Sequence, residues 1–66
     1  MGTLVVHSED SPEHRYTICL EEESDSYFLI VDGKPYWEDG KLFEGSFDDV
    51  NDKLQELRAA ENLKTF

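Results

Sequence analysis

Two histidines, His7 and His14, one cysteine, Cys19, and sixteen Asp and Glu residues are the side chains through which this 66-residue chain could do acid–base, nucleophilic or metal chemistry. Neither histidine has a neighbour at the spacing that a metal site or a catalytic triad needs. Cys19 has no second cysteine near it and falls in a strand-like alternation, which makes it a strand residue rather than a reactive thiol. Asp48-Asp49-Val50-Asn51-Asp52 has the composition of a calcium loop. It lacks the Asp-x-Asp spacing, the glycine and the distal glutamate of one, and it lies inside a predicted helix. There is no glycine-rich phosphate loop and no basic patch with interleaved aromatics. The expectation is a protein that is not an enzyme, with no catalytic residue, no metal site and no cofactor.

What remains is the carboxylates as a charge pattern. Sixteen acids against six Lys and Arg give a formal net charge of −10, above the magnitude of about 2–8 typical of small soluble domains. Residues 1–52 hold fourteen of the acids and only three bases, Arg15, Lys34 and Lys41; residues 53–66 hold two acids and three bases. Asp48, Asp52 and Glu56 recur at i, i+4 and i+8, so a helix would carry them on one face about 6 Å apart along its axis. Like charges at that spacing disfavour the helix itself, and the favourable Asp49–Lys53 pair expected at the same spacing offsets only part of this. Glu21-Glu22-Glu23 forms a second acidic edge. Such a field repels nucleic acid and anionic membranes and attracts basic surfaces.

The elements that must position these groups are legible in the apolar pattern. Leu, Ile, Val and Phe number seventeen, enough to exceed the roughly 20% below which a highly charged chain stays disordered. Leu4 to His7 is a short β-prone run, followed by a polar stretch from Ser8 to His14. Tyr16, Ile18 and Leu20 alternate with Arg15, Thr17, Cys19 and Glu21 as a half-buried strand does. Tyr27-Phe28-Leu29-Ile30-Val31, apolar on both faces, predicts a central strand. Asp32-Gly33 and Asp39-Gly40 mark two tight hairpin turns. Ser46 as N-cap with Asp49 three residues on opens the only helix, whose Phe47, Val50, Leu54 and Leu57 form one apolar stripe. The fold class is α+β: a small antiparallel sheet of four to five strands in a meander, with one C-terminal helix on one face. The chain is expected to be a single domain, 1–66, with strands over about 3–44, a helix over about 47–61 closed by Asn62 as C-cap with Leu63 folding back, and a frayed tail at 64–66.

Tyr36 and Trp37 are adjacent in a short strand and must point to opposite faces, as must Tyr27 and Phe28. A single helix covers one face only, so one member of each pair is expected to be partly exposed, and exposed Trp and Tyr are frequent interface anchors. The N-terminal residues lack the basic and long apolar regions of a signal peptide, and no apolar run approaches the ~20 residues of a membrane span. A lone cysteine excludes an internal disulfide. The expected location is cytoplasmic.

Gly45-Ser46-Phe47-Asp48-Asp49-Val50, following a strand meander, resembles the strand-to-helix junction of HicB-type antitoxins, which carry Thr or Ser, a spacer, two acids and a small apolar residue there. The resemblance covers six residues, and the Pro-Gly turn usual between that family's strands is missing here. It implies a basic, RNA-cleaving partner. In size and charge the chain is also similar to small acidic inhibitors that bacteriophages direct against host nucleic-acid enzymes. The expected function is therefore a small acidic protein-interaction module that binds, and inhibits, a basic nucleic-acid-handling protein by mimicking phosphate. It would contact no nucleic acid and no membrane directly. Asp48, Asp52, Glu56, Glu21, Glu22, Glu23, Tyr36 and Trp37 are the candidate partner-binding residues. The alternative is an accessory or homodimer-forming domain whose acidity serves only solubility or high salt.

Overall fold

The computed structural model describes residues 2–64, with side chains through Glu61. Its strands are β1 (Thr3–Asp10), β2 (Arg15–Glu21), β3 (Ser26–Val31), β4 (Lys34–Pro35), β5 (Trp37–Glu38), β6 (Lys41–Leu42) and β7 (Glu44–Gly45), and its helix is α1 (Phe47–Lys64). The architecture is α+β: an antiparallel sheet in the order β1-β2-β3-β4, with β7 also pairing β3, and a single helix against it. The apolar β3 lies inside the sheet, between β2 on one side and β4 with β7 on the other.

Register fixes the two faces. Tyr16↔Val31, Ile18↔Leu29 and Leu20↔Tyr27 are cross-strand partners on one face, and α1 lies over that face. Tyr16, Ile18, Leu29, Val50 and Leu54 are fully buried there, with Tyr27, Val31, Tyr36, Phe43 and Leu57 packed around them. Each such aliphatic side chain stabilises the fold by about 1.5–3 kcal/mol through removal from water. The opposite face carries Val5↔Cys19, Cys19↔Phe28 and Thr17↔Ile30, and no helix covers it. Cys19 is buried even so, because it is small and sits between Val5 and Phe28.

The two Asp-Gly turns have the positive φ that a two-residue hairpin demands. Asp32 and Gly33 are at 54° and 82°, Asp39 and Gly40 at 54° and 79°, the type I′ geometry whose twist matches the strands it joins. The first joins β3 to β4. The expected meander is β1-β2-β3-β4, and the second turn closes a separate two-stranded ribbon beside it, β5 with β6. The ribbon interrupts one strand position: Tyr36 N–H donates to Leu29 O at 2.9 Å, the chain leaves and returns, and Phe43 N–H donates to Tyr36 O at 3.0 Å.

Two further boundaries differ from expectation. β1 does not end at His7 but continues through Ser8 and Glu9 to Asp10, with a bulge between Val5 and His7. Its polar end is held by tertiary partners: Glu9 pairs with Arg58 of α1 and Asp10 with Arg15. The helix begins as expected, with Asp49 N–H donating to Ser46 Oγ at 3.2 Å and Val50 N–H to Ser46 O at 3.1 Å. It does not end at Glu61, however: Asn62 and Leu63 are helical, and so is Lys64. The remainder of the tail expected to fray, residues 65–66, lies outside the described residues.

Candidate functional site

The outer face of α1 is set by what its inner face buries. Val50 and Leu54 are inaccessible, and at 100° per residue Asp48, Asp52 and Glu56 fall on the opposite side of the helix. All three are exposed. Asp48 and Asp52 form no ion pair among the described residues. Glu56 has one, to Lys53 Nζ at 3.5 Å. The expected Asp49–Lys53 pair does not form. Lys53 instead reaches across to Glu38 at 3.0 Å and lies over the Phe43 ring, 5.5 Å from its centroid. Its pKa is raised, first by the Glu38 hydrogen bond and then by the charges of Glu38 and Glu56.

That lysine joins two parts of the expected surface. Glu38 belongs to β5, as does Trp37, so Lys53 ties the ribbon to the flank of the carboxylate stripe. Trp37 is 61% exposed. Tyr36 turns the other way, against the core, with its ring 6.2 Å from Phe43 and its hydroxyl donating to Glu38 at 3.4 Å. Of the two aromatics, Trp37 is therefore the one available at the surface. Tyr27 and Phe28 divide similarly: Tyr27 stacks edgewise on Phe47 at 5.7 Å under the helix, and Phe28 lies on the open face.

Glu21, Glu22 and Glu23 lie at the β2–β3 turn. Because β7 pairs with Tyr27 and Phe28, α1 starts at the same end of the sheet, and the two acidic groups share that end. Glu21 ends β2 and accepts from Thr3 Oγ1 and the Glu23 amide, each at 3.5 Å. Glu22 donates its amide to Gly2 O at 3.0 Å. The described bases are largely engaged: Arg15 with Asp10, Arg58 with Glu9, Lys53 with Glu38 and Glu56. Lys34 and Lys41 form no ion pair among the described residues. Asp48 and Asp52 along α1, and Glu21 and Glu23 at this end of the sheet, therefore have no cation among the described residues.

A second polar cluster, at the opposite end, was not signalled by the sequence. Glu61 is only 7% exposed, on the core side of α1 one turn beyond Leu57. Its carboxylate accepts from Ser11 Oγ at 2.6 Å and from the Tyr16 hydroxyl, and these bonds hold its pKa low, the Ser11 bond most. Burial and the same carboxylate push the Tyr16 phenol up. Ser11 Oγ in turn accepts the His14 amide at 3.0 Å. Beside it, His14 Nδ1 meets Asp32 Oδ2 at 2.5 Å, and Asp32 Oδ1 accepts the Arg15 amide at 3.0 Å. The Asp32 bond raises His14, and the Arg15 amide and His14 lower Asp32. Every acceptor here faces a donor from the β1–β2 loop or β2, so the cluster fastens the loop to the helix end. An open groove of about 250 Å³ between Ser11, Pro12, Gln55, Arg58, Ala59 and Glu61 adjoins it, and Arg58 at its wall is already held by Glu9.

Among the described residues no group of His, Cys, Asp and Glu is arranged to hold a metal ion, and no helix is long and apolar enough to cross a membrane. The thiol of Cys19 is pushed up by burial, and it lies within the sheet rather than at a cleft. The chain matches no protein-family model, no curated protein and no solved structure.

Proposed function

We propose that this protein is a non-enzymatic interaction module that binds a basic surface on a nucleic-acid-handling protein and blocks it. The observation that carries this reading is the exposed line of Asp48, Asp52 and Glu56 on the face of α1 turned away from the core, two of its three carboxylates having no cation among the described residues. Proteins that handle nucleic acid hold Lys and Arg at phosphate positions. Carboxylates repeated along a rigid helix offer those groups an alternative ligand, and a charge of −10 draws the two proteins together over long range. Trp37, tied alongside the stripe through Glu38 and Lys53, supplies apolar contact where the charges supply approach and selectivity. A cytoplasmic location suits such a partner.

The test is affinity capture from cell lysate at low and at physiological salt, with wild-type protein and with Asp48→Asn/Asp52→Asn/Glu56→Gln. The expected result is a nucleic-acid-binding protein retained by wild type at low salt, less at physiological salt, and lost from the variant. Retention of the same proteins by both baits would remove the stripe from the mechanism.

A further inference from the structure

Among the described residues, no strand pairs with the outer edge of β1. β1 is the terminal strand of the sheet, and its eight residues extend over about 27 Å. Its inner edge bonds to β2 over Thr3–Asp10. Every second residue of an edge strand turns its N–H and C=O outward, and nothing among the described residues receives these groups. Edge strands are normally guarded by lysine, proline, short length or a bulge. β1 has only the bulge beside Val6. It has no lysine and no proline, and Leu4, Val5 and Val6 are 49%, 67% and 43% exposed.

The charges around this edge select what can pair with it. Thr3 lies opposite Glu21, so the apolar stretch of β1 adjoins the Glu21–Glu23 turn. Glu21 and Glu23 form no ion pair among the described residues. At the far end Glu9 and Asp10 are held by Arg58 and Arg15, while exposed Glu13 in the following loop has no cation there. The net charge of −10 on each chain opposes a second copy as the occupant and favours a basic one.

We infer that β1 is a docking edge for an extended basic segment of the partner, which adds to the sheet as a further strand. Its apolar residues lie along Leu4–Val6, and a Lys or Arg at its end reaches Glu21 and Glu23. The inference rests on the basic-partner reading above but assigns a different surface from the helix stripe, and main-chain hydrogen bonds supply what charge alone does not.

The test is nuclear magnetic resonance of the ¹⁵N-labelled full chain with three synthetic peptides of equal length. One alternates lysine and valine, one has the same charge but proline at two of the valine positions, and one alternates threonine and valine. The expected result is that the lysine–valine peptide shifts the amides of Thr3–Asp10 and slows their hydrogen exchange. The proline peptide should shift only residues around Asp48, Asp52 and Glu56. Val5→Lys, at a position 67% exposed, should weaken the β1 response at least tenfold and leave the helix response in place. If both lysine peptides act only at the helix, the edge inference is wrong and the acidic reading stands. If the threonine–valine peptide engages β1 as tightly as the lysine–valine one, strand addition stands and the basic-partner reading fails at this edge. If β1 amides change with protein concentration alone, the occupant is a second copy and the inference is overturned.

Discussion

Replacing Asp48 and Asp52 by Asn and Glu56 by Gln removes three negative charges from α1 without touching a core side chain. Two like-charge i,i+4 pairs vanish, Asp48–Asp52 and Asp52–Glu56, which relieves about 0.4–1 kcal/mol in all. Against this, Asp48 in the first turn gives up its attraction to the positive end of the helix dipole, about 0.3–1 kcal/mol. Glu56 also leaves Lys53, but only at 3.5 Å, and Lys53 keeps its closer partner Glu38 at 3.0 Å. Terms of opposite sign and similar size leave a net change within about 1 kcal/mol, so the thermal midpoint should move by less than about 4–8 °C. Affinity should respond far more, because the variant lowers both the number of local contacts and the long-range field. The assay is a paired one: thermal and urea unfolding, and titration of each protein with a fluorescent lysine octapeptide at low and physiological salt. The expected outcome is unchanged stability, weaker binding and a shallower salt dependence. A loss of several kcal/mol would show that the outer face of α1 is packed rather than open. Binding with wild-type affinity and salt slope would show that the stripe is not the attracting surface.

Leu54→Ala, at a fully buried position, should cost about 2–5 kcal/mol. That is comparable with the roughly 3–10 kcal/mol expected for a domain of this length, so urea unfolding should show a fraction already unfolded in water; a wild-type midpoint would mean α1 does not depend on this contact. His14 is raised by Asp32 and Asp32 is lowered by the Arg15 amide and His14. The His14 contribution is full below its unfolded pKa and lost as pH rises through the raised folded one, and the Asp32 contribution is lost as pH falls through its depressed one. Urea midpoints against pH should therefore fall faster above neutrality in wild type than in His14→Gln, and parallel curves would contradict the pairing. Glu61→Ala should destabilise more than Glu56→Ala, with Glu61→Gln restoring part of the loss because an acceptor for the Tyr16 and Ser11 hydroxyls returns; equal effects of the two alanine variants in urea would place Glu61 at the surface. Trp37→Ser should leave stability within about 0.5 kcal/mol yet reduce partner capture, and unreduced capture would exclude Trp37 as an anchor.

The parts of this fold legible in sequence are those dictated by local chemistry. The period-2 run Tyr16-Ile18-Leu20, the two Asp-Gly turns and the Ser46 cap each specify backbone geometry within a few residues, and each appears where that chemistry puts it. The pattern failed where long-range contacts decide. Ser8-Glu9-Asp10 has no apolar periodicity, and it is a strand because Arg58 and Arg15 neutralise its acids and β2 pairs its backbone. Glu61 continues the Val50, Leu54, Leu57 spacing by one turn. Its charge hid it, although the spacing together with a tyrosine hydroxyl opposite was the available signal. Lys53 was assigned to Asp49 by helix spacing alone, and the ribbon that carries Glu38 could not be placed beside it without the tertiary fold. Of the candidate surface, the sequence put Asp48, Asp52 and Glu56 on one helix face and divided Tyr36 from Trp37. Which aromatic faces outward depended on the pairing of Tyr36 with Leu29.

Competition decides the central claim most directly. The protein captured from lysate would be mixed with its nucleic acid at low salt, and this chain titrated in. Displacement of the nucleic acid by wild type, and failure of displacement by the Asp48→Asn/Asp52→Asn/Glu56→Gln variant, is the result predicted for a carboxylate surface standing in for phosphate. A ternary complex in which the partner holds nucleic acid and this chain together, with equal affinity for both forms of the chain, would contradict it.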